Sequence, residues 1–597
     1  MLKAIGFFAA LLSAIGLGSE TAEDRSGEPS AAQLAALDPT LPGRKACRGI
    51  DARGKALEER LALAAAKSPL LLQSAVQDRF PLYSEIGPSD IDVTGLTGEA
   101  RNYFDQGVAL LYGFNHAAAV RSFRKARAYA PECAMCWWGE AYANGLNINA
   151  GMSEEQNRQA IFAVKQAQRL SDKSSPMEKA LIAAQAARFP DDLGADRAAL
   201  EANYSEKMMA IAAKYPSSND VAVLAAESAM NTTPWDYWDP ETSEARPQIA
   251  QAITLIERVM TDNPRHPQAS HLYIHLMENS PDPTKAEAAA DRLVDSAPSA
   301  LGHLVHMPGH IYYRIGRYTD SIEANIKAAR ADEEYLGVAG DDGLYRFGYY
   351  PHNVHFLLTS AQMAGDMYRV ANETERLKRI LNEDIAKQLP WVQAIHAAPS
   401  FALTQYASPA ATLALTTKST ELAYVEAMRH YARAVAHARM GDSAEFDADI
   451  AAMKTLKSDP QMQVMVDNGF PAPTIVELAI HVAEGRKSHA DGEYETAAAH
   501  YRAAQELEKQ VPYNEPPYWY YPVAQSLGAA LYAAGDYEGA LAAFREALFK
   551  APNSGWALYG LAQTERKLGN LREARAAEEA LSKAWIGENN WLRMDRI

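Results

Sequence analysis

Apolar and polar positions alternate in a fixed frame over most of the chain, most clearly near the C-terminus. Tyr521 to Pro552 reads YPVAQSLGAALYAAGDYEGALAAFREALFKAP, and NSGWALYGLAQTERKLGNLREARAAEEAL follows directly. Gly528, Gly535, Tyr537, Ala540, Phe544, Ala547 and Pro552 fall where a helix–turn–helix unit of about 34 residues needs them. Small residues let the two helices approach, Gly535 makes the turn, and Pro552 stops the second helix. Gly569 and Ala574 carry the frame onward.

The same frame fits residues 100–131 through Gly107, Ala119, Phe123 and Pro131. Looser copies fall around 219–236, 267–298, 302–332, 351–380, 427–455 and 478–511. This pattern resembles the tetratricopeptide repeat (TPR) family over most of residues 100 to 590. The resemblance implies an all-α, TPR-like α-solenoid, a right-handed superhelix of helix–turn–helix repeats with irregular loop insertions. The first helix of each repeat would line a concave groove and the second would form the outer wall. Residues 46–236 are expected to form N-terminal repeats, 237–385 a central histidine-rich set, and 386–597 the C-terminal repeats. Two stretches break the frame. EYLGVAGDDGLYRFGYYP (334–351) is rich in glycine and aromatics, and 386–420 is poorly periodic. Loops of this length in a packed solenoid are usually functional or mobile.

The chain is 597 residues long with 48% apolar and 22% charged residues, the composition of a globular repeat array. Its net charge of −17 argues against nucleic acid and against anionic lipid, both of which need a basic face. Residues 1–19 read as a signal peptide: Lys3, then about a dozen apolar residues, then small ones. Residues 20–45 are polar and read as a flexible leader. No later segment is apolar enough for membrane insertion, so the mature chain is expected to be periplasmic or secreted. Three cysteines permit one disulfide and a spare thiol, with Cys133 and Cys136 the candidate pair and Cys47 left over. Trp137 stands where a haem-attachment motif needs histidine, and no βαβ pattern surrounds Cys133.

The histidines carry the chemical signal. In the TPR family, positions 2, 5, 9 and 12 of the first helix face the groove. Numbered from Pro264, Gly316 and Gly365, this frame puts His271 at 5, His275 at 9 and Glu278 at 12 of one repeat. It puts His303, His306 and His310 at 2, 5 and 9 of the next, and His352 and His355 at 2 and 5 of the third. Glu227 falls at 9 of the preceding repeat. None of the other eight histidines falls at 2, 5 or 9: His430 and His481 fall at 4, His437 at 11, His489 at 12, and His116, His266, His396 and His500 lie elsewhere. Residues four apart share a helix face, so such histidines can chelate one metal, and neighbouring helices can complete its shell. Seven imidazoles exceed one site, which leaves two metals or a supporting role for some rings.

Pro308 lies between His306 and His310. Either it kinks a helix at a functional site, or the helix begins there with Pro308 in its first turn. Trp235, Trp238, Tyr349 and Tyr350 lie near the cluster in sequence and are candidates for a substrate wall. They equally suit packing between repeats.

The chain also resembles exported bacterial TPR proteins with HxxxH, HMPxH and YPHNxHF stretches. That resemblance carries no activity; the histidine positions themselves lead to the expectation of an exported metal-binding protein with a histidine-lined site for copper, zinc or iron, either without catalysis or as an oxidase or hydrolase with Glu227 or Glu278 as general base. The alternative is a non-catalytic scaffold that binds a peptide or protein partner in the groove.

Overall fold

In the computed structural model, which describes residues 80–597 apart from 84, 340–344 and 389, the repeat frame becomes a run of antiparallel helix pairs. The expected signal peptide, the leader and Cys47 lie outside the described residues. Among the described residues there is no strand, only isolated bridges at Asn147–Ala150 and Trp238–Ala245.

The spacing of small and large residues explains the pairing. Phe544 of helix Tyr537–Lys550 is fully buried. A Cβ placed on Gly528 or Gly560 would stand 2.9 or 2.2 Å from its ring. Phe123 occupies the same place near the other end of the array, with Gly107 and Gly139 at 2.6 and 2.4 Å. One aromatic knob thus seats between two glycines on adjacent helices at both ends of the solenoid. The expected turn residue Gly535 has φ +86°, a left-handed conformation that ends helix Val523–Ala534 without the strain a Cβ would bring.

The array closes on itself. Trp585 packs against Gly365, and Ile586 N–H donates to the Ala364 carbonyl at 2.9 Å. Trp556 Nε1 donates to the Gln362 carbonyl at 3.0 Å. Asn553 Nδ2 donates to the Gly316 carbonyl at 3.3 Å. From the other end, Tyr345 Oη donates to the Gly113 carbonyl at 3.3 Å. The central histidine helices therefore lie inside a closed coil, where apolar burial replaces an open groove.

Helices Val392–Tyr406 and Pro409–Leu415 form where periodicity is weak. Helix Val392–Tyr406 buries Val392, Ile395, Ala398, Phe401 and Ala402, and it contains Pro399. A helix packed on most of its circumference has no polar stripe to give it a period.

Pro308 combines features of both expectations. Helix Gly302–His306 ends at Met307, and helix Pro308–Arg314 begins there with Pro308 in its first turn. Met307 keeps helical dihedrals (φ −52°, ψ −38°), so the two pieces form one interrupted rod.

Cys133 and Cys136 form a disulfide at the start of helix Ala134–Ala143, and Cys133 Sγ accepts from the Cys136 N–H.

Candidate metal centre

Helix Pro267–Glu278 places His271, His275 and Glu278 on one face through steps of four and three residues. The interrupted rod supplies His303 and His306 from its first piece and His310 from its second. Helix Tyr350–Ala364 supplies His352. The rings gather into two triads, His271/His275/His303 and His306/His310/His352, each with one ligand atom per ring and all three atoms within 4.8 Å of one another. None of the six is more than 3% exposed.

Four of the six outer ring nitrogens have an acceptor behind them, while His303 Nδ1 is buried without a hydrogen-bond partner. Gln268 Oε1 lies 2.9 Å from His271 Nδ1, and the amide is oriented by Nε2 donating to Glu227 at 3.1 Å. Glu278 Oε1 lies 2.7 Å from His275 Nδ1, and its Oε2 lies 2.5 Å from His310 Nδ1. Asn325 Oδ1 lies 2.6 Å from His306 Nδ1, and its Nδ2 donates to the Ser321 carbonyl at 2.8 Å. An acceptor on Nδ1 fixes the proton there and turns the Nε2 lone pair inward, the arrangement that metal-ligating histidines use.

The inward nitrogens then face one another. His271 Nε2 is 3.2 Å from His303 Nε2, and His306 Nε2 is 2.7 Å from His310 Nε2. The Nε2 atoms of His275 and His352 are buried without a hydrogen-bond partner. Two facing Nε2 atoms need a proton or a metal ion between them, and an imidazole triad of this kind fits a transition metal.

Electrostatics agree with neutral rings held by one acid. Burial lowers the pKa of His271, His303, His306 and His352 well below 6.5, and the neighbouring imidazoles add to the effect. Burial pushes the Glu278 carboxyl up, but His310 and His275 more than offset this and hold it at about 2. Burial likewise lowers His310, and Glu278 more than reverses it, so His310 ends raised. In the metal-free chain a proton on His310 can fill the gap to His306.

Each triad has an aromatic cover. Phe114 packs on His271 and His303, with ring centroids 4.6 and 5.3 Å away. Phe356 lies 4.9, 4.6 and 5.1 Å from His306, His310 and His352.

The other expected residues are distributed around this centre. His355 lies outside both triads; burial holds its pKa at about 3, and it lines a pocket with His352, Phe401, Asn514, Tyr518 and Tyr520. Trp235 stands edge-on to His275 at 5.2 Å, and Tyr349 packs on His303 at 4.6 Å. Trp238 is turned to the backbone and donates to the Leu276 carbonyl at 2.8 Å. Tyr350 points towards Glu333 and Arg376. Glu227 reaches the cluster only through Gln268, and burial raises its pKa to about 7, partly opposed by Arg188.

Sequence reasoning missed Glu515. It is fully enclosed, with one oxygen accepting from Tyr513 Oη at 2.6 Å and the other without a partner. Burial raises it to about 7, against the pull of His310 and Arg314. It sits in the stretch YNEPPYWYYP (513–522), where no repeat position marks it. Gln268, Asn325, Phe114 and Phe356 were also missed. Only Gln268 carried a signal, three residues before His271 on the same face.

A family model described as tetratricopeptide repeat matches residues 531–584. That stretch therefore carries tetratricopeptide repeats, in keeping with the repeated helix pairs already described over the rest of the described residues. Among solved structures, a human IFIT1 dimer with PPP-AAAA is 14% identical, with 82% of this chain and 96% of that chain covered and a TM-score of 0.30. Yeast Tom70 is 13% identical, with 83% of this chain and 94% of that chain covered and a TM-score of 0.25. Superposition at that level passes nothing about ligands to this chain. No curated relative matches the sequence. Among the described residues, no helix is long and apolar enough to cross a membrane.

Proposed function

We propose that the buried histidines hold two transition-metal ions, three imidazoles to each, and that the protein is an exported oxidoreductase whose ions are copper. The observation that carries this reading is the pair of triads, with Nε2 atoms paired across His271/His303 and His306/His310, and the Nδ1 atoms of His271, His275, His310 and His306 backed by Gln268, Glu278 and Asn325. Six imidazoles, neutral once the proton of His310 is displaced, beside one firmly ionised carboxylate suit ions of low charge, because buried charge without a counter-ion is costly. Copper can be monovalent, and imidazole is among its preferred donors. Bound copper would supply one-electron redox chemistry.

The chain's own residues would do the rest. Phe114 and Phe356 exclude water from the two triads. The pocket lined by His352, His355, Phe401 and Tyr518 offers an apolar approach to the second triad. Glu515, with a pKa of about 7 and a free oxygen, is suited to move a proton near neutral pH. Export is proposed from the pattern of residues 1–19, and the Cys133–Cys136 disulfide is in keeping with an oxidising compartment.

Reconstitution with copper, zinc and iron, followed by dioxygen-uptake assays on catechols and ester-hydrolysis assays, tests this reading. Two equivalents of copper with dioxygen uptake support it. Tighter zinc binding with ester hydrolysis alone would move the protein to the hydrolases. The family match at 531–584 favours a second, compatible reading: repeats of this kind commonly bind peptides, so the C-terminal set could dock a partner.

A further inference from the structure

Three ligand-type side chains converge outside the two triads. His481 and Glu484 lie three residues apart on helix Ala472–Ala490, so they share a face. His500 comes from the antiparallel helix Tyr494–Glu508 of the same hairpin. His481 Nδ1 is 3.4 Å from His500 Nδ1. Glu484 Oε2 is 3.2 Å from His500 Nδ1 and 3.7 Å from His481 Nδ1.

We propose that these three atoms form a third metal site, at the surface, for a divalent transition cation of zinc's class. Ligands about 2.0 Å from a tetrahedral ion stand about 3.3 Å apart, and the three observed separations bracket that edge. The donors need little rearrangement to close on an ion. Two imidazoles with one carboxylate suit zinc, nickel or copper rather than magnesium or calcium. The side chains are about a quarter exposed, so the remaining coordination position faces solvent.

The surrounding charges support the geometry. Lys454 pairs with Glu484 through Oε1 at 3.3 Å, which leaves Oε2 for the imidazoles. Glu477 Oε1 lies 3.9 Å from His481 Nε2, behind the ring, and its other oxygen is paired with Lys457 at 2.6 Å. A carboxylate behind a ligating ring orients it and raises its basicity. An ion here would staple the two helices of one hairpin near their middles, in a part of the chain to which the repeat pattern assigned no chemistry.

Zinc binding to the full chain, measured against a chelating indicator of known affinity, tests the proposal. Wild type should bind one equivalent more than His481→Ala/His500→Ala. The His271→Ala/His310→Ala variant should keep that equivalent, which separates this site from the buried triads whatever their fate. Should the double histidine variant unfold, Glu484→Gln decides, with that equivalent bound at least about tenfold more weakly. The proposal is overturned if folded His481→Ala/His500→Ala, or Glu484→Gln, takes up as much zinc as wild type with the same affinity.

Discussion

Replacing Glu278 by glutamine probes the link between the two triads. Its carboxylate has no solvent exposure and touches His275 Nδ1 at 2.7 Å and His310 Nδ1 at 2.5 Å. Burial raises its pKa, and the two imidazoles bring it down to about 2 from an ordinary 4.5. At about 1.4 kcal/mol for each pH unit, that gap corresponds to about 3 kcal/mol in favour of the ionised form. The folded pKa is the depressed one. The stabilisation is therefore present above pH 4.5 and is lost as pH falls through about 2. Glutamine removes the charge. Its carbonyl can accept from one imidazole, but its amide presents a donor to the other. At pH 7 the metal-free Glu278→Gln chain should lose about 3 kcal/mol, read as a lower urea midpoint for the central helices. Metal affinity at the triad left without an acceptor should fall about 10- to 100-fold. A variant that unfolds at the wild-type urea concentration and loads both ions with wild-type affinity would refute the bridging role.

Three further outcomes follow from the same geometry. In Gly309→Ala the new Cβ would stand 2.6 Å from Asn325 Nδ2 and displace the acceptor on His306, so affinity at the second triad should drop about 10-fold or more while circular dichroism stays unchanged. Uptake by the second triad should expel the proton of His310, whose pKa is raised, so affinity there should fall as pH drops through that value. The first triad, whose His271 and His303 are held well below 6.5, should be far less sensitive over the same range; metal titrations in lightly buffered solutions of different pH, with a pH indicator, separate the two. Finally, His352→Ala should lose one equivalent of metal by elemental analysis, and His355→Ala should lose none, because only His352 belongs to a triad.

The repeats were legible because their period is written in small residues that have no substitute. Phe544 fits only between Gly528 and Gly560, and Phe123 only between Gly107 and Gly139. The histidines were legible for a related reason. Steps of four on helix Pro267–Glu278 put His271 and His275 on one side wherever the helix lies. The family's position numbering also singled out seven histidines, six of which converge in two triads. Closure of the coil was not legible. The contacts of Trp556 with Gln362 and of Asn553 with Gly316 join segments about two hundred residues apart, and no local period encodes them. Closure is what turns an expected open groove into a buried chamber. It also brings Glu515 towards His310, so this acid was invisible to spacing. Glu227 and Glu278 were read as candidate bases because they share the histidine face. Their contacts place Glu278 behind His275 and His310, and Glu227 one residue further back through Gln268.

The most direct test of the central claim is elemental analysis of untagged protein, washed with a chelator to clear the surface site. Wild type would be run beside His271→Ala/His303→Ala and His306→Ala/His352→Ala. Two equivalents of copper in wild type, and one in each variant, is the predicted result. A folded wild-type chain that stays metal-free after reconstitution with copper, zinc and iron would contradict the account.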